Sequence, residues 1–307
     1  MKWFQKKDPV PTPTQIAEAL PPTPQGQPAA QTGTRIRHTL AIASGKGGVG
    51  KSTTAANLAF SFAAQGAKVG LCDVDVYGPS MALMTQTPAP TEMQGSLIVP
   101  PEVGGVKIIS PALFGSTNKA NILRGPMAGN LAKQLLTQVA WGELDFLFID
   151  CPPGTGDIQL SLAQNISLEA AILVTSPQEV ALLDVRKALE MFRTLQVPVL
   201  GLVETMSYFL CGTCETRHHL FGKDGGKNFA AAHKLPFLGA VPLSEALTQS
   251  GDQGIPLVVT NPTHPASQAF FEIRDAILLA LEQRTGLPPK GLGSFHLKWE
   301  PMPETQP

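Results

Sequence analysis

The stretch Gly45-Lys46-Gly47-Gly48-Val49-Gly50-Lys51-Ser52 constrains this chain more than any other. It fits G-x-x-x-x-G-K-[ST] and lies between an apolar run, "TLAIAS", and a helix-patterned run, "STTAANLAFSFAAQ". Glycines let the backbone fold around phosphates with its N–H groups turned inward, and a helix N-terminus adds a favourable dipole. The strand–loop–helix context predicts an ATP site. Gly45, Gly47, Gly48, Val49, Gly50 and Thr53 are expected to line the phosphates, Lys51 to reach the β- and γ-phosphates, and Ser52 to coordinate Mg²⁺.

The remaining pattern suits such a loop. From Thr39 onward, short apolar runs ("KVGLCD", "VKIIS", "DFLFID", "AAILVTS", "VLGLVET", "PFLGAV") alternate with helical stretches. Runs that are apolar throughout indicate strands covered on both faces, hence a doubly wound α/β fold with a mostly parallel sheet and helices on both sides. Ala55, Leu58, Ala59 and Phe62 recur at helical spacing, as do Val180, Leu183, Ala188 and Phe192, which marks core-facing stripes. Residues 266–283 read as a closing helix.

One domain is expected over residues 37–284. A flexible Pro/Gln-rich tail precedes it over 1–36, including a linker-like "QIAEAL" at 15–20, and an irregular stretch follows over 285–307, where Pro288, Pro289, Pro301 and Pro303 stop any helix. A net charge of −1 with 15% charged residues leaves no basic footprint for nucleic acid. No apolar run reaches the roughly 18 residues of a membrane span, and the N-terminus lacks the apolar core of a secretory signal. A cytoplasmic chain without membrane or nucleic-acid partners is expected.

Three further features carry chemistry. "CDVDVYGPS" places Asp73 and Asp75 at the carboxyl end of the second strand, where ligands sit in open α/β sheets, and strand alternation sends both to one side. "DFLFIDCPPGTGD" places Asp150 after an apolar strand, with Gly154, Gly156 and Asp157 in a loop suited to sensing a γ-phosphate. Cys72 and Cys151 read as buried structural thiols. Cys211 and Cys214 form a C-x-x-C, half of the four-ligand set that zinc or a [4Fe–4S] cluster needs, which a symmetric dimer would complete. His218 and His219 follow on a polar loop and read as solvated rather than ligating. Lys46 adds a second cation beside Lys51, and a γ-phosphate from a neighbouring subunit would supply the matching charge.

Taken together, "GKGGVGKSTTAANLA", "DVDVYGPS", "RGPM" (Arg124 to Met127), "DCPPGTGD", "SPQEVALLDVRKALEMF", "MSYFLCGTC" and "LFGKDGG" resemble the Mrp/ApbC family of ATP-binding iron–sulfur cluster carriers over residues ~36–283. That family belongs to the deviant Walker A ATPases, with MinD, ParA and the nitrogenase iron protein. The resemblance implies a slow ATPase that works as a homodimer, with Lys46 acting in trans across a nucleotide sandwich. It implies that Asp73 supports the Mg²⁺ water shell, Asp75 orients the attacking water, and Asp150 is the Walker B acid. By the same resemblance, Cys211 and Cys214 of two subunits hold a labile [4Fe–4S] cluster destined for client apoproteins, with scaffold proteins as further partners.

The chain departs from that pattern in three places. Thr205 stands where relatives carry an asparagine expected to read the adenine edge, Gly212 replaces a proline, and the Pro-rich tail replaces an accessory domain. Two other readings suit the nucleotide loop: a MinD/ParA-like positioning ATPase, and a P-loop ATPase with a structural zinc at its dimer interface. The tail "GLPPKGLGSFHLKWEPMPETQP" lacks the amphipathic helix or basic surface that the first needs.

Overall fold

The structure, a computed structural model, describes residues 34–114, 125–156, 159, 168–214 and 216–284. The N-terminal stretch before these, Arg124, Asp157 and the C-terminal stretch from Thr285 lie outside them. The first half contains β1 (Arg35–Ser44), α1 (Lys51–Ala63), β2 (Val69–Asp73), α2 (Met81–Met84), β3 (Met93–Gln94), β4 (Leu97–Ile98), β5 (Glu102–Val103), β6 (Val106–Ile109), α3 (Gly125–Thr137) and β7 (Glu143–Asp150). The second half contains β8 (Ala170–Thr175), α4 (Glu179–Thr194), β9 (Val199–Glu204), β10 (Phe209–Leu210), β11 (Arg217–His218), α5 (Gly225–Ala232), β12 (Phe237–Ala240), α6 (Glu245–Gln253), α7 (Leu257–Thr260) and α8 (Pro265–Glu282).

Eight strands form one sheet in the order β12-β9-β8-β1-β7-β2-β6-β5, parallel throughout except for the β5–β6 edge pair. The mostly parallel, helix-covered sheet expected from the sequence is the one observed. Each central strand feeds both faces. Ala41 and Ala43 of β1, with Leu147 and Ile149 of β7, meet α3, α4 and α5, whereas Leu40 and Ile42, with Phe146 and Phe148, meet α1 and α8. Two apolar layers therefore sandwich the sheet, which is why its strands read as unbroken apolar runs.

Two sequence expectations need correction. β1 begins at Arg35, and Arg35 and Ile36 pair with Glu143 and Leu144 of β7, so the sheet takes up the last two residues assigned to the tail. Ile36 is buried there, which rewards the extension. On α4, Val180 and Leu183 are exposed (65% and 54%), and the core face is formed instead by Ala181, Leu182, Val185, Ala188, Leu189 and Phe192. The helix carries apolar residues on more than one face, so spacing alone did not single out the buried one.

The face beneath α1 is dominated by aromatic packing. Phe62 is fully buried, with its ring centroid 4.5 Å from Phe146 and 5.2 Å from Phe148. Phe62→Ala is expected to lower unfolding free energy by about 3–5 kcal/mol, measured by denaturant titration, because the rigid sheet cannot collapse into the void.

Candidate functional site

Parallel register assembles the site. Asp150 at the end of β7 lies opposite Ile42 of β1 on one side and Asp73 of β2 on the other. The loop after β1 therefore leaves the sheet beside both carboxylates, at the carboxyl edge where open α/β sheets bind ligands. Beyond β7, the chain stays zipped to β1 through Cys151 N–H to Ile42 O (3.0 Å) and Gly154 N–H to Ser44 O (3.0 Å).

The loop has the geometry of a phosphate cradle. Gly50 precedes α1 with φ +76°, a left-handed conformation that favours glycine, and its carbonyl accepts from the Thr54 N–H and hydroxyl. Gly47 and Gly48 are exposed, and Ser52 and Thr53 are half-buried at the start of α1. Gly45 serves a different end: a Cβ there would overlap the backbone of Asp184 and Val185, so α4 rests directly on the loop. Lys46 is half-buried, its carbonyl accepts from Ser44 Oγ (2.9 Å), and it forms no ion pair among the described residues.

Lys51 is buried, and its Nζ donates to Asp150 Oδ1 at 2.7 Å and to Ser52 Oγ at 3.2 Å. Burial alone would depress the ammonium's pKa. The Asp150 charge, the hydrogen bond to it, and the charges of Asp73 and Asp75 reverse that, so the pKa lies above the usual lysine value. Asp150 Oδ2 is buried and has no hydrogen-bond partner among the described residues. A buried carboxylate oxygen without a donor is costly, and a magnesium-bound water at the phosphates is a fitting partner for it.

Asp73 and Asp75, which strand alternation was expected to send to one side, differ in burial and in partners. Asp73 is fully buried, and its oxygens accept from the backbone of Asp75 (3.0 Å) and Met81 (3.3 Å) and from Ser110 Oγ (2.9 Å). It fastens the loop after β2 to α2 and to the end of β6. Asp75 lies beyond the strand, half-exposed, with Oδ1 accepting from Gly78 N–H (3.1 Å). Burial raises the pKa of both acids, and the neighbouring Asp150 charge raises Asp73 further, to about 7. Ser110 was missed from sequence because it sits in a different strand connection and has no local signal. Cys72 and Cys151 are buried, and desolvation pushes Cys151 up to about 12, so both are inert structural thiols.

Thr205 packs against the phosphate loop. It is buried, and its hydroxyl is within donating distance of the carbonyls of Val49 (2.6 Å) and Thr175 (3.0 Å). Its single proton is therefore engaged on the phosphate loop and β8, and the side chain holds the loop from beneath.

From Thr205 the chain runs directly to the thiols. Ser207 N–H donates to Val241 O (3.1 Å), and the buried Glu204 carboxylate accepts from Ser207 Oγ and from Gly226 N–H at the start of α5. β10 and β11 then form a hairpin whose loop is closed by Cys211 N–H to Thr216 O (3.0 Å). Cys211 is half-buried, Cys214 is exposed, and both are reduced. The Thr216 hydroxyl beside Cys214 Sγ (3.2 Å) leads the hydrogen bonds that lower that thiol's pKa, favouring the thiolate that binds metal. His218, expected to be only solvated, lies within 4.8 Å of both sulfurs through its ring nitrogen.

A parallel sheet with a glycine-rich loop, a buried loop lysine and a strand-end aspartate defines a P-loop nucleoside triphosphatase. The profile described as "ParA: NUBPL iron-transfer P-loop NTPase" matches residues 35–278, and the chain belongs to that family of iron–sulfur cluster carriers. It is 44% identical to the iron–sulfur cluster carrier protein of Pseudomonas fragi, over 78% of this chain and 84% of that one. It is 42% identical to the iron–sulfur cluster transfer protein NUBPL of Mus musculus, over 80% and 78%. Among solved structures, an ADP-bound nucleotide-binding protein from Archaeoglobus fulgidus is 33% identical with a TM-score of 0.65, covering 85% of this chain and 97% of that one. The MinD cell-division ATPase of Pyrococcus furiosus, 21% identical over 79% and 99% with a TM-score of 0.59, shares the fold. No helix among the described residues is long and apolar enough to cross a membrane.

Two outcomes test the site. Thr205→Val keeps the side chain's shape but leaves the Val49 carbonyl without its hydroxyl donor, and is expected to cost about 1–3 kcal/mol in denaturant unfolding. Asp73 gives a pH signature in the nucleotide-free protein. With a native pKa of about 7 against the ordinary 3.8, the folded chain retains a proton that the unfolded chain has lost across that window. Its contribution therefore falls as pH rises through the window and levels off above it. The melting temperature of Asp73→Asn minus that of the unsubstituted protein is expected to rise from pH 5 to pH 8 by calorimetry.

Proposed function

We propose that the chain is an ATP-dependent carrier that holds a [4Fe–4S] cluster between two copies of itself and passes it to apoproteins. The observation that carries this reading is the short segment from Thr205 to Cys211, which ties the underside of the phosphate loop to the thiol hairpin within one chain. A change at the nucleotide has a direct mechanical route to the cargo site. The names of the relatives, which are cluster carrier and cluster transfer proteins, support the cargo, and the ADP complex of the Archaeoglobus protein supports the nucleotide.

In this mechanism, Lys51 leaves its pairing with Asp150 to neutralise the β- and γ-phosphates, and α1 presents its N-terminus to them. Ser52 and, through water, Asp150 Oδ2 are the groups that would hold Mg²⁺, which when bound offsets phosphate charge. Asp75, which is half-exposed with a raised pKa, orients the attacking water, while Asp73 keeps its loop in position. Lys46, without an ion-pair partner among the described residues, reaches the γ-phosphate of the second copy. Val180 and Leu183 expose apolar surface on α4, the helix that rests on Gly45, and so offer a contact face beside the loop for a homodimer. Cys211 and Cys214 from each copy complete the four thiolates a cluster needs. Clients are apo iron–sulfur proteins, and scaffold proteins supply the cluster.

The test is a set of three substitutions in anaerobically reconstituted protein. Lys51→Ala is expected to abolish ATP binding or hydrolysis. Lys46→Ala should keep nucleotide binding but lose about 10³-fold in turnover, the lower range for a charge supplied in trans. Cys211→Ala should keep nucleotide binding and lose the thiolate-to-iron absorbance near ~400 nm. Unchanged absorbance in Cys211→Ala would remove the thiol pair from the cargo site.

A further inference from the structure

The C-x-x-C is not a bare pair. Ligand atoms of Cys211, Cys214 and His218 all lie within 4.8 Å of one another, and all three come from one protomer. In a tetrahedral site with metal–sulfur bonds of about 2.3 Å and metal–nitrogen bonds of about 2.0–2.1 Å, ligand atoms stand about 3.5–3.8 Å apart. Closing a triangle no wider than this takes at most about 1.3 Å, which side-chain rotation on an exposed loop supplies.

The hairpin aims the imidazole. His218 pairs with Phe209 and Arg217 with Leu210 in the β10–β11 ladder, so the two neighbouring side chains leave opposite faces. Arg217 lies over the Tyr208 ring, 4.5 Å from its centroid, and His219 Nδ1 contacts Ser207 O at 3.1 Å. Both flanking residues are thus engaged with the chain before β10, and His218 faces the sulfurs. The ladder and the Cys211–Thr216 hydrogen bond fix the neck of the thiol loop, so the nitrogen is held by the sheet rather than by the loop tip.

We propose that Cys211, Cys214 and His218 of a single protomer bind one divalent transition-metal ion of the Zn²⁺ or Fe²⁺ class, leaving the fourth tetrahedral position open. The proposal rests on the thiol pair being the metal-binding site of the function proposed above. It differs in needing no second copy. Two thiols lose their protons to solvent as the ion binds, so two thiolates balance a dication and the imidazole remains neutral. The same sulfurs cannot serve a bridged cluster at the same time. A protomer holding a single ion is therefore in a state exclusive of cluster assembly, and its open position is where an incoming thiolate or sulfide would attach.

Co²⁺ reports on this site because tetrahedral thiolate coordination gives it visible absorption. Full-length protein, reduced and under anaerobic conditions, is titrated with Co²⁺ while light scattering follows its mass. Saturation at one ion per chain, with the mass unchanged by the titration, is expected. His218→Ala should bind about a hundredfold more weakly, at the upper end of what losing even a residue that only orients a ligand costs. Unaltered ATP binding in His218→Ala checks that the variant is folded. The proposal is overturned if His218→Ala binds Co²⁺ with unchanged affinity and spectrum, if saturation requires two chains per ion, or if the unsubstituted protein takes up none. Reconstitution with iron and sulfide separates the two readings. A bridged cluster that forms in His218→Ala leaves the carrier function standing whichever way the Co²⁺ titration falls; Co²⁺ binding that survives Cys211→Ala overturns the single-ion site, and only a cluster that forms in Cys211→Ala removes the thiol pair from the carrier function.

Discussion

The Lys51–Asp150 ion pair is the contact around which the site is built. Two opposite charges, 2.7 Å apart and both buried, are costly to remove from water, and they repay that cost only when each is held in good geometry. The lysine is held by the first turn of α1 and the aspartate by the end of β7, so the pair requires β1 and β7 to be adjacent and in register. It also leaves one oxygen of Asp150 without a donor among the described residues, as fits the magnesium-bound water proposed for it. Asp73, one strand over, has its pKa raised first by its own burial and then by the Asp150 charge.

Around this pair, the molecule places two sites on one strand connection. β9 ends in Glu204 and Thr205 follows it, and the two side chains reach in opposite directions. The Thr205 hydroxyl contacts the phosphate loop, whereas the Glu204 carboxylate gathers Ser207 and the start of α5. The thiol hairpin begins two residues after Ser207, and His219 returns to the Ser207 carbonyl. This short segment is hydrogen-bonded at both ends, to the phosphate loop through Thr205 and to the start of α5 through Glu204. That gives the proposed coupling of nucleotide to cargo a physical basis beyond proximity. The α4 helix adds a second route, since its backbone lies against Gly45 while its outer face exposes Val180 and Leu183.

Much of this was legible in the chain itself. Unbroken apolar runs such as "DFLFID" predict strands buried on both sides, and the glycine-lysine loop between a strand and a helix fixes both the fold class and the phosphate site, because few other backbones present so many inward N–H groups. The burial of Cys72 and Cys151 followed from their positions in or beside such runs. The outward face of α4 was not legible, because Val180 and Leu183 share helical spacing with residues that are buried. Nor were the short edge strand β5 and the β10–β11 hairpin, two residues each, in which pairing rather than composition makes the strand.

Local sequence determined which residues have the chemistry: the loop lysines, the strand-end carboxylates and the cysteine pair, each set by spacing within a few positions. Only tertiary structure decided how that chemistry is shared out. Asp73 became a fastener because Ser110 approaches from another strand, Thr205 became a loop support because β9 passes beneath Val49, and His218 joined the cysteines because a two-residue ladder folds it back. The physical reason is the same in each case. A side chain's role depends on which donors, acceptors and charges surround it once water is removed, and those neighbours come from segments far away in sequence.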